Sequence, residues 1–153
     1  MNQVNITSFT VIGIAVKTTN ANGKSAKDIG ALWHQFMSEN ILDKIPNKTD
    51  DTIYAIYTDY EGDYTQPYTT ILGCRVENAA VVPEGMLSKT IKGGNYAGFT
   101  AKGDLTRGAV YKTWAEIWQT GLDRLYATDF EVYGVKAQNP KAAEVEIFVG
   151  VKE

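Results

Sequence analysis

Residues 52–76 read TIYAIYTDYEGDYTQPYTTILGCRV. The outer parts, 52–58 and 68–76, are dense in Ile, Tyr, Thr and Val, side chains that suit a pleated, half-buried surface. Between them Asp59, Gly62, Asp63 and Pro67 supply turn chemistry, so the stretch predicts an antiparallel hairpin with a long tip. Upstream, residues 9–17 (FTVIGIAVK) read as another strand. They are followed by Ile29, Leu32, Trp33, Phe36 and Met37 at helical spacing, behind Ser25 and Asp28 in the pattern of a capping box. Downstream, residues 86–91 and 96–102 are strands around a Gly93-Gly94-Asn95 turn. From Thr106 a second helical stripe runs through Val110, Trp114, Ile117, Trp118, Leu122 and Leu125. Residues 130–135 (FEVYGV) and 144–152 (EVEIFVGVK) close the chain as strands, with a turn at Gln138-Asn139-Pro140. Each half therefore runs strand, helix, strand, strand. This predicts an α+β fold of two βαββ units related by a pseudo-two-fold axis, an antiparallel sheet carrying two helices, and a cleft between the halves where a ligand site can form.

With 153 residues and 44% hydrophobic content, the chain is sized for one compact core, and residues 1–153 are expected to form a single domain. Fifteen basic against eighteen acidic side chains give a net charge of -3. No stretch gathers Lys and Arg as a phosphate-tracking surface would, so nucleic acid is not expected as a direct partner. Cys74 is the sole cysteine; an intrachain disulfide is excluded, which fits a reducing cytoplasm. No apolar run approaches the ~20 residues of a membrane span, and the polar start lacks a signal-peptide pattern. The expected setting is cytoplasmic, with no membrane partner.

The aromatic content is the surplus to be explained: three Trp, nine Tyr and five Phe. Trp33 and Phe36 on the first helix, and Trp114 and Trp118 at i, i+4 on the second, are either core or the walls of a pocket for flat organic molecules. On the last strand Glu144, Glu146 and Phe148 share one face, opposite Val145, Ile147, Val149 and Val151. Those carboxylates are either solvated or, with Glu146 turned into the inter-helix cleft, a counter-charge for an organic cation. The acidic tip Asp59-Tyr60-Glu61-Gly62-Asp63 lacks the ligand order of a calcium loop, with Thr70 where a closing Glu would stand, so no metal is expected. His34 points away from the apolar stripe, Cys74 reads as a buried inert thiol, and no phosphate loop, dinucleotide fingerprint or zinc spacing occurs. No catalytic residue and no cofactor are assigned.

The run 53–76, the link 82–85 (VPEG), the strand 96–102 (YAGFTAK), the helix with Trp114 and Trp118, and the ending 130–133 (FEVY) with 144–152 together resemble the GyrI-like family. That family comprises effector-binding domains of AraC-type and multidrug-sensing regulators, gyrase-inhibitor-like proteins and stand-alone drug-binding modules. The resemblance implies a duplicated βαββ fold whose concave face takes hydrophobic, often cationic, small molecules against a glutamate in the last strand region. Carried onto this chain, the glutamate matches Glu146, with Glu144 second. The aromatic walls match Trp33, Phe36, Trp114 and Trp118, with Tyr54, Tyr68 and Phe148 alongside. The strand at Phe9 leaves no space before it for a helix-turn-helix, so direct control of transcription is not expected. The resemblance also allows two other functions. One is a hydrolase of reactive drug-like molecules, with a pocket glutamate as general base; the other is a gyrase-inhibitor-like module docking a protein partner.

Overall fold

The computed structural model describes residues 2–63 and 65–152; Tyr64, within the tip of the hairpin, lies outside them, as do the two terminal residues. The hairpin forms as expected, from β3 (Ile53–Thr58) and β4 (Tyr68–Val76), in a register that sets Tyr54 opposite Gly73 and Thr58 opposite Thr69. Around it the chain order is β1 (Asn2–Ile6), β2 (Phe9–Thr18), α1 (Lys24–Ser38), a short α2 (Ile41–Lys44), β3 and β4. It continues with β5 (Leu87–Ile91), β6 (Gly94–Gly103), α3 (Ala109–Gln119), β7 (Arg124–Tyr133) and β8 (Ala143–Val151). Among the described residues no helix is long and apolar enough to cross a membrane.

All eight strands join one antiparallel sheet in the order β1-β6-β8-β7-β3-β4-β2-β5. The order reads symmetrically about the β7–β3 seam: β3, β4 and β2 run outward on one side, and β7, β8 and β6 on the other. The duplicated βαββ expectation is met, with an addition. β1, which precedes the first unit, pairs with β6 of the second, and β5, which precedes the second unit, pairs with β2 of the first.

Strand order also dictates curvature. Ile91 ends β5 at one margin and Gly94 begins β6 beside the other. Three Cα steps span at most ~11 Å, so the sheet curls until its margins meet. The concave face closes around Phe9, Val11, Ile56, Ile71, Ile91, Tyr96 and Phe130. The convex face carries the helices. Leu32 and Phe36 of α1 pack on Ile12, Ile14, Ala55, Leu72 and Cys74, while Ile117 of α3 packs on Ala101, Val145, Ile147 and Val149.

Two glycines permit the curl. Gly13 and Gly73 are register partners on the concave side, and a Cβ on Gly13 would stand 2.0 Å from the Leu72 carbonyl oxygen, one on Gly73 2.3 Å from that of Ile12. Both obstacles are backbone. Gly13→Ala is therefore expected to cost about 2 kcal/mol or more, read as a melting temperature lower by roughly 5 °C in calorimetry.

Two local expectations are corrected, and one strand is added. Ser25 and Asp28 do not form a capping box: Gly23, left-handed at φ 70°, occupies the N-cap, and the Asp28 carboxylate instead accepts from Thr18 Oγ1 and Lys24 Nζ. The second helix stops at Gln119; Gly121 at φ 68° turns the chain, Leu122 lies in the connection, and Leu125 belongs to β7. The polar residues of β1 gave no alternating signal, because this edge strand exposes nearly all of its side chains.

Candidate functional site

Between α1 and α3, over the β7–β3 seam, the convex face leaves a cavity of about 340 Å³. Its sides come from the helices: Ser25, Ala26, Ile29 and Trp33 of α1, and Val110, Tyr111, Trp114 and Trp118 of α3. Its floor comes from the sheet, where strand alternation points Tyr57, Glu131 and Tyr133 outward from adjacent strands; Tyr60 and Tyr68 complete it toward the hairpin tip.

Glu131 is the chemical centre. It is 2% exposed, and each carboxylate oxygen is engaged: Tyr133 Oη donates to Oε1 at 2.7 Å, while Trp114 Nε1 at 2.7 Å and Tyr57 Oη at 2.9 Å donate to Oε2. All three donors are neutral. Burial pushes the Glu131 carboxyl above its ordinary 4.5, opposed by the hydrogen bonds from Tyr133, Trp114 and Tyr57. The phenols of Tyr57 and Tyr133 are pushed well up, first by burial and then by the Glu131 charge, so both remain proton donors. Their rings extend the aromatic lining: Tyr57 stands edge-on to Trp114 at 5.9 Å and to Tyr68 at 6.1 Å, and Tyr133 stands edge-on to Trp33 at 5.0 Å.

A second polar group lies at the other end of the Trp114 indole. Arg124 lines the cavity with its side chain 7% exposed; its Nη2 donates to Asp129 Oδ2 at 2.7 Å, and its guanidinium lies 5.8 Å from the Trp114 ring centre and 4.5 Å from that of Tyr126. Asp129 is wholly buried and also accepts from Tyr60 Oη at 2.6 Å and the Gly150 amide at 2.9 Å. Burial pushes the Asp129 carboxyl up, against Arg124 and these donors. A bulge makes the arrangement. Five steps of β7, Arg124 to Asp129, stand opposite two of β8, Val151 to Val149. The odd surplus brings both side chains to the convex face, and Tyr126 within it takes a left-handed φ of 53°.

Of the residues expected from the sequence, Trp33, Tyr68, Trp114 and Trp118 meet in this cavity. The others do not. Phe36 is fully buried beneath α1 against Trp33. Tyr54 lies on the concave face, 5.4 Å from Phe9, and Phe148 lies there too, 5.2 Å from Phe130. Glu146 is exposed and shares that side of β8, because its neighbours Val145 and Ile147 face α3. Glu144 on the same face reaches Lys102 at 3.4 Å and Lys136 at 3.9 Å. The carboxylate between the helices is Glu131, which is not among the residues expected from the sequence; the alternation of Asp129, Glu131 and Tyr133 with Phe130 and Val132 is the signal that marks it.

The acidic residues of the hairpin tip have local partners: Asp59 pairs with Lys89, Glu61 with Lys17, and Asp63 caps Thr65. His34 is exposed. Cys74 is buried, and burial pushes its thiol up to about 12.

Residues 4–151 match the family model of Cass2, the integron-associated effector-binding protein. The crystal structure of the Vibrio cholerae integron cassette protein VCH_CASS2 superposes with a TM-score of 0.78 at 30% identity, over 99% of this chain and 95% of that one. The structure of SAV2435 bound to tetraphenylphosphonium superposes at 0.81, with 19% identity over 99% of this chain and 93% of that one. YobU of Bacillus subtilis (strain 168), which carries the name of a transcriptional regulator, is 29% identical over 145 residues, 92% of this chain and 91% of its own length. With the eight-stranded fold, its two long helices and the family match over residues 4–151 together, the chain is an effector-binding protein of the GyrI-like type and belongs to the Cass2 family.

Proposed function

We propose that this protein binds flat or globular hydrophobic organic cations in the cavity between α1 and α3, with Glu131 as the counter-charge. The observation that carries the proposal is a buried carboxylate whose three partners are all neutral, set among Trp33, Tyr57, Trp114 and Tyr133. Such a group has lost its hydration and gained donors but no opposite charge, which a ligand cation supplies. The surrounding ring faces add roughly 0.5 to 2 kcal/mol each by cation–π attraction. SAV2435, of the same fold, is bound to a cation of this class, tetraphenylphosphonium, which makes that ion the natural probe. The ligand serves as an effector, sensed or sequestered; no residue here is assigned to catalysis.

The test is quenching of Trp fluorescence by tetraphenylphosphonium as a function of pH. The cation prefers ionised Glu131, so affinity is expected to rise as pH climbs through the raised Glu131 value, above 4.5. Ligand-free stability moves the opposite way. The folded state holds this proton to higher pH than the unfolded chain, so the associated stability is complete below pH 4.5 and is lost as pH passes the folded value. Affinity that stays flat across that window would remove Glu131 as counter-charge.

A further inference from the structure

The cavity has two polar ends, and the cation at Glu131 occupies one. At the other, Asp129 has its three donors in Arg124, Tyr60 and the Gly150 amide, which makes it a holder of the guanidinium rather than a contact for ligand. The guanidinium itself is under-used. Of its five N–H groups, the described structure engages Nη2 with Asp129, and the buried Nε has no hydrogen-bond partner. Packing against the rings of Trp114 and Tyr126 fixes its plane. A buried donor without an acceptor is rare in native proteins and asks for a cause, and here the residue lines a cavity. Trp114 joins the two ends: its Nε1 reaches Glu131, and its ring carries Arg124.

We propose that Arg124 is a second recognition group of this cavity and takes an anionic acceptor, a carboxylate, on ligands whose cationic end sits at Glu131. The preferred ligand class is then aromatic zwitterions, with opposite charges at the two ends of a ring system lying along Trp114. Because the Arg124–Asp129 pair is neutral as a unit, the cavity keeps the net negative charge of Glu131 and still admits simple cations. The carboxylate adds orientation through a planar, charge-assisted contact. Without such a contact a ligand carboxylate would be repelled by Glu131, so the sign of its effect is diagnostic.

This inference rests on the cation site at Glu131, and its test separates the two. Affinities are measured by calorimetry for tetraphenylphosphonium, for the same ion carrying a 4-carboxylate on one ring, and for the methyl ester of that acid. In the wild-type protein the acid is expected to bind about tenfold more tightly than the ester, the scale of one charge-assisted hydrogen bond. In the double variant Arg124→Gln, Asp129→Asn, which removes both charges and leaves neither one buried alone, the ratio is expected to fall to one or below. Reading a ratio cancels any general loss of affinity. Tetraphenylphosphonium failing to bind the wild-type protein would overturn the cation site and this inference together. Binding of tetraphenylphosphonium with the acid no tighter than the ester would overturn Arg124 alone, and the wild-type comparison decides this even where the double variant is too unstable to use. An acid preference that survives in the double variant would also overturn it.

Discussion

Replacing Glu131 with Gln is expected to weaken tetraphenylphosphonium binding by about two orders of magnitude. A pair of unit charges ~4 Å apart at an effective dielectric near 20 gains about 4 kcal/mol. The carboxylate is already desolvated in the ligand-free fold, where Tyr57, Trp114 and Tyr133 offset part of that cost, so its desolvation is not charged again on binding and most of that gain survives. Losing about 3 kcal/mol corresponds to a little over 100-fold. Gln also turns an amide N–H₂ toward donors, so part of the loss is structural. A neutral triaryl ligand of similar shape separates the two effects, since it should lose far less affinity than the cation. Glu146→Gln and Glu144→Gln, on the other side of the sheet, are expected to stay within twofold of wild type. A Glu131→Gln protein that binds the cation within fivefold of wild type would end the counter-charge role.

The largest effect on stability is expected at Asp129. Truncation to Ala leaves the Arg124 guanidinium, 7% exposed, without its carboxylate, and frees Tyr60 Oη and the Gly150 amide. Breaking one side of a buried pair costs about 3–5 kcal/mol, which in a chain of this size lowers the melting temperature by roughly 10 °C. The contrast is the Lys102–Glu144 pair, with Lys102 70% exposed, where removing the carboxylate should change stability by about 0.5 kcal/mol or less. A melting temperature for Asp129→Ala within 2 °C of wild type would show that Arg124 is not held by this pair.

The fold was more legible than the site, for a physical reason. Strands and helices announce themselves through local period, and the hairpin 52–76, both amphipathic helices and their repetition follow from that alone. Which strands become neighbours is non-local. The alternation in β8 sets Glu144, Glu146 and Phe148 opposite Val145, Ile147 and Val149 but does not say which side meets the cleft, and the family resemblance points to the carboxylate side. In fact α3 covers the valines, so the same alternation turns Glu146 away. In β7 the pattern Asp129, Glu131, Tyr133 against Phe130 and Val132 looks like a half-exposed strand. Only the placement of β7 at the centre of the sheet, between β3 and β8, buries its polar face and gives Glu131 its donors. Phe36 and Tyr54 show the limit from another side: an aromatic side chain declares burial, not which cavity or core receives it. The bulge that returns Arg124 to the cavity has no signature in composition, because a Tyr with left-handed backbone occupies the position where glycine would be read.

The exchange of β1 and β5 between the two units ties this chain together in a way its repeat order conceals. Each unit borrows the edge strand that precedes the other, so a cut between β4 and β5 would not release two self-sufficient halves; each fragment would carry one strand that belongs on its counterpart. Contacts such as Val4 with Tyr96 and Ile56 with Phe130 join distant parts of the sequence, a topology that favours slow folding. A small molecule seated on the β7–β3 seam therefore grips both halves at once. Its occupancy is expected to raise the unfolding temperature of the whole protein as a single transition, so that the bound effector is felt as far away as the two exchanged edges.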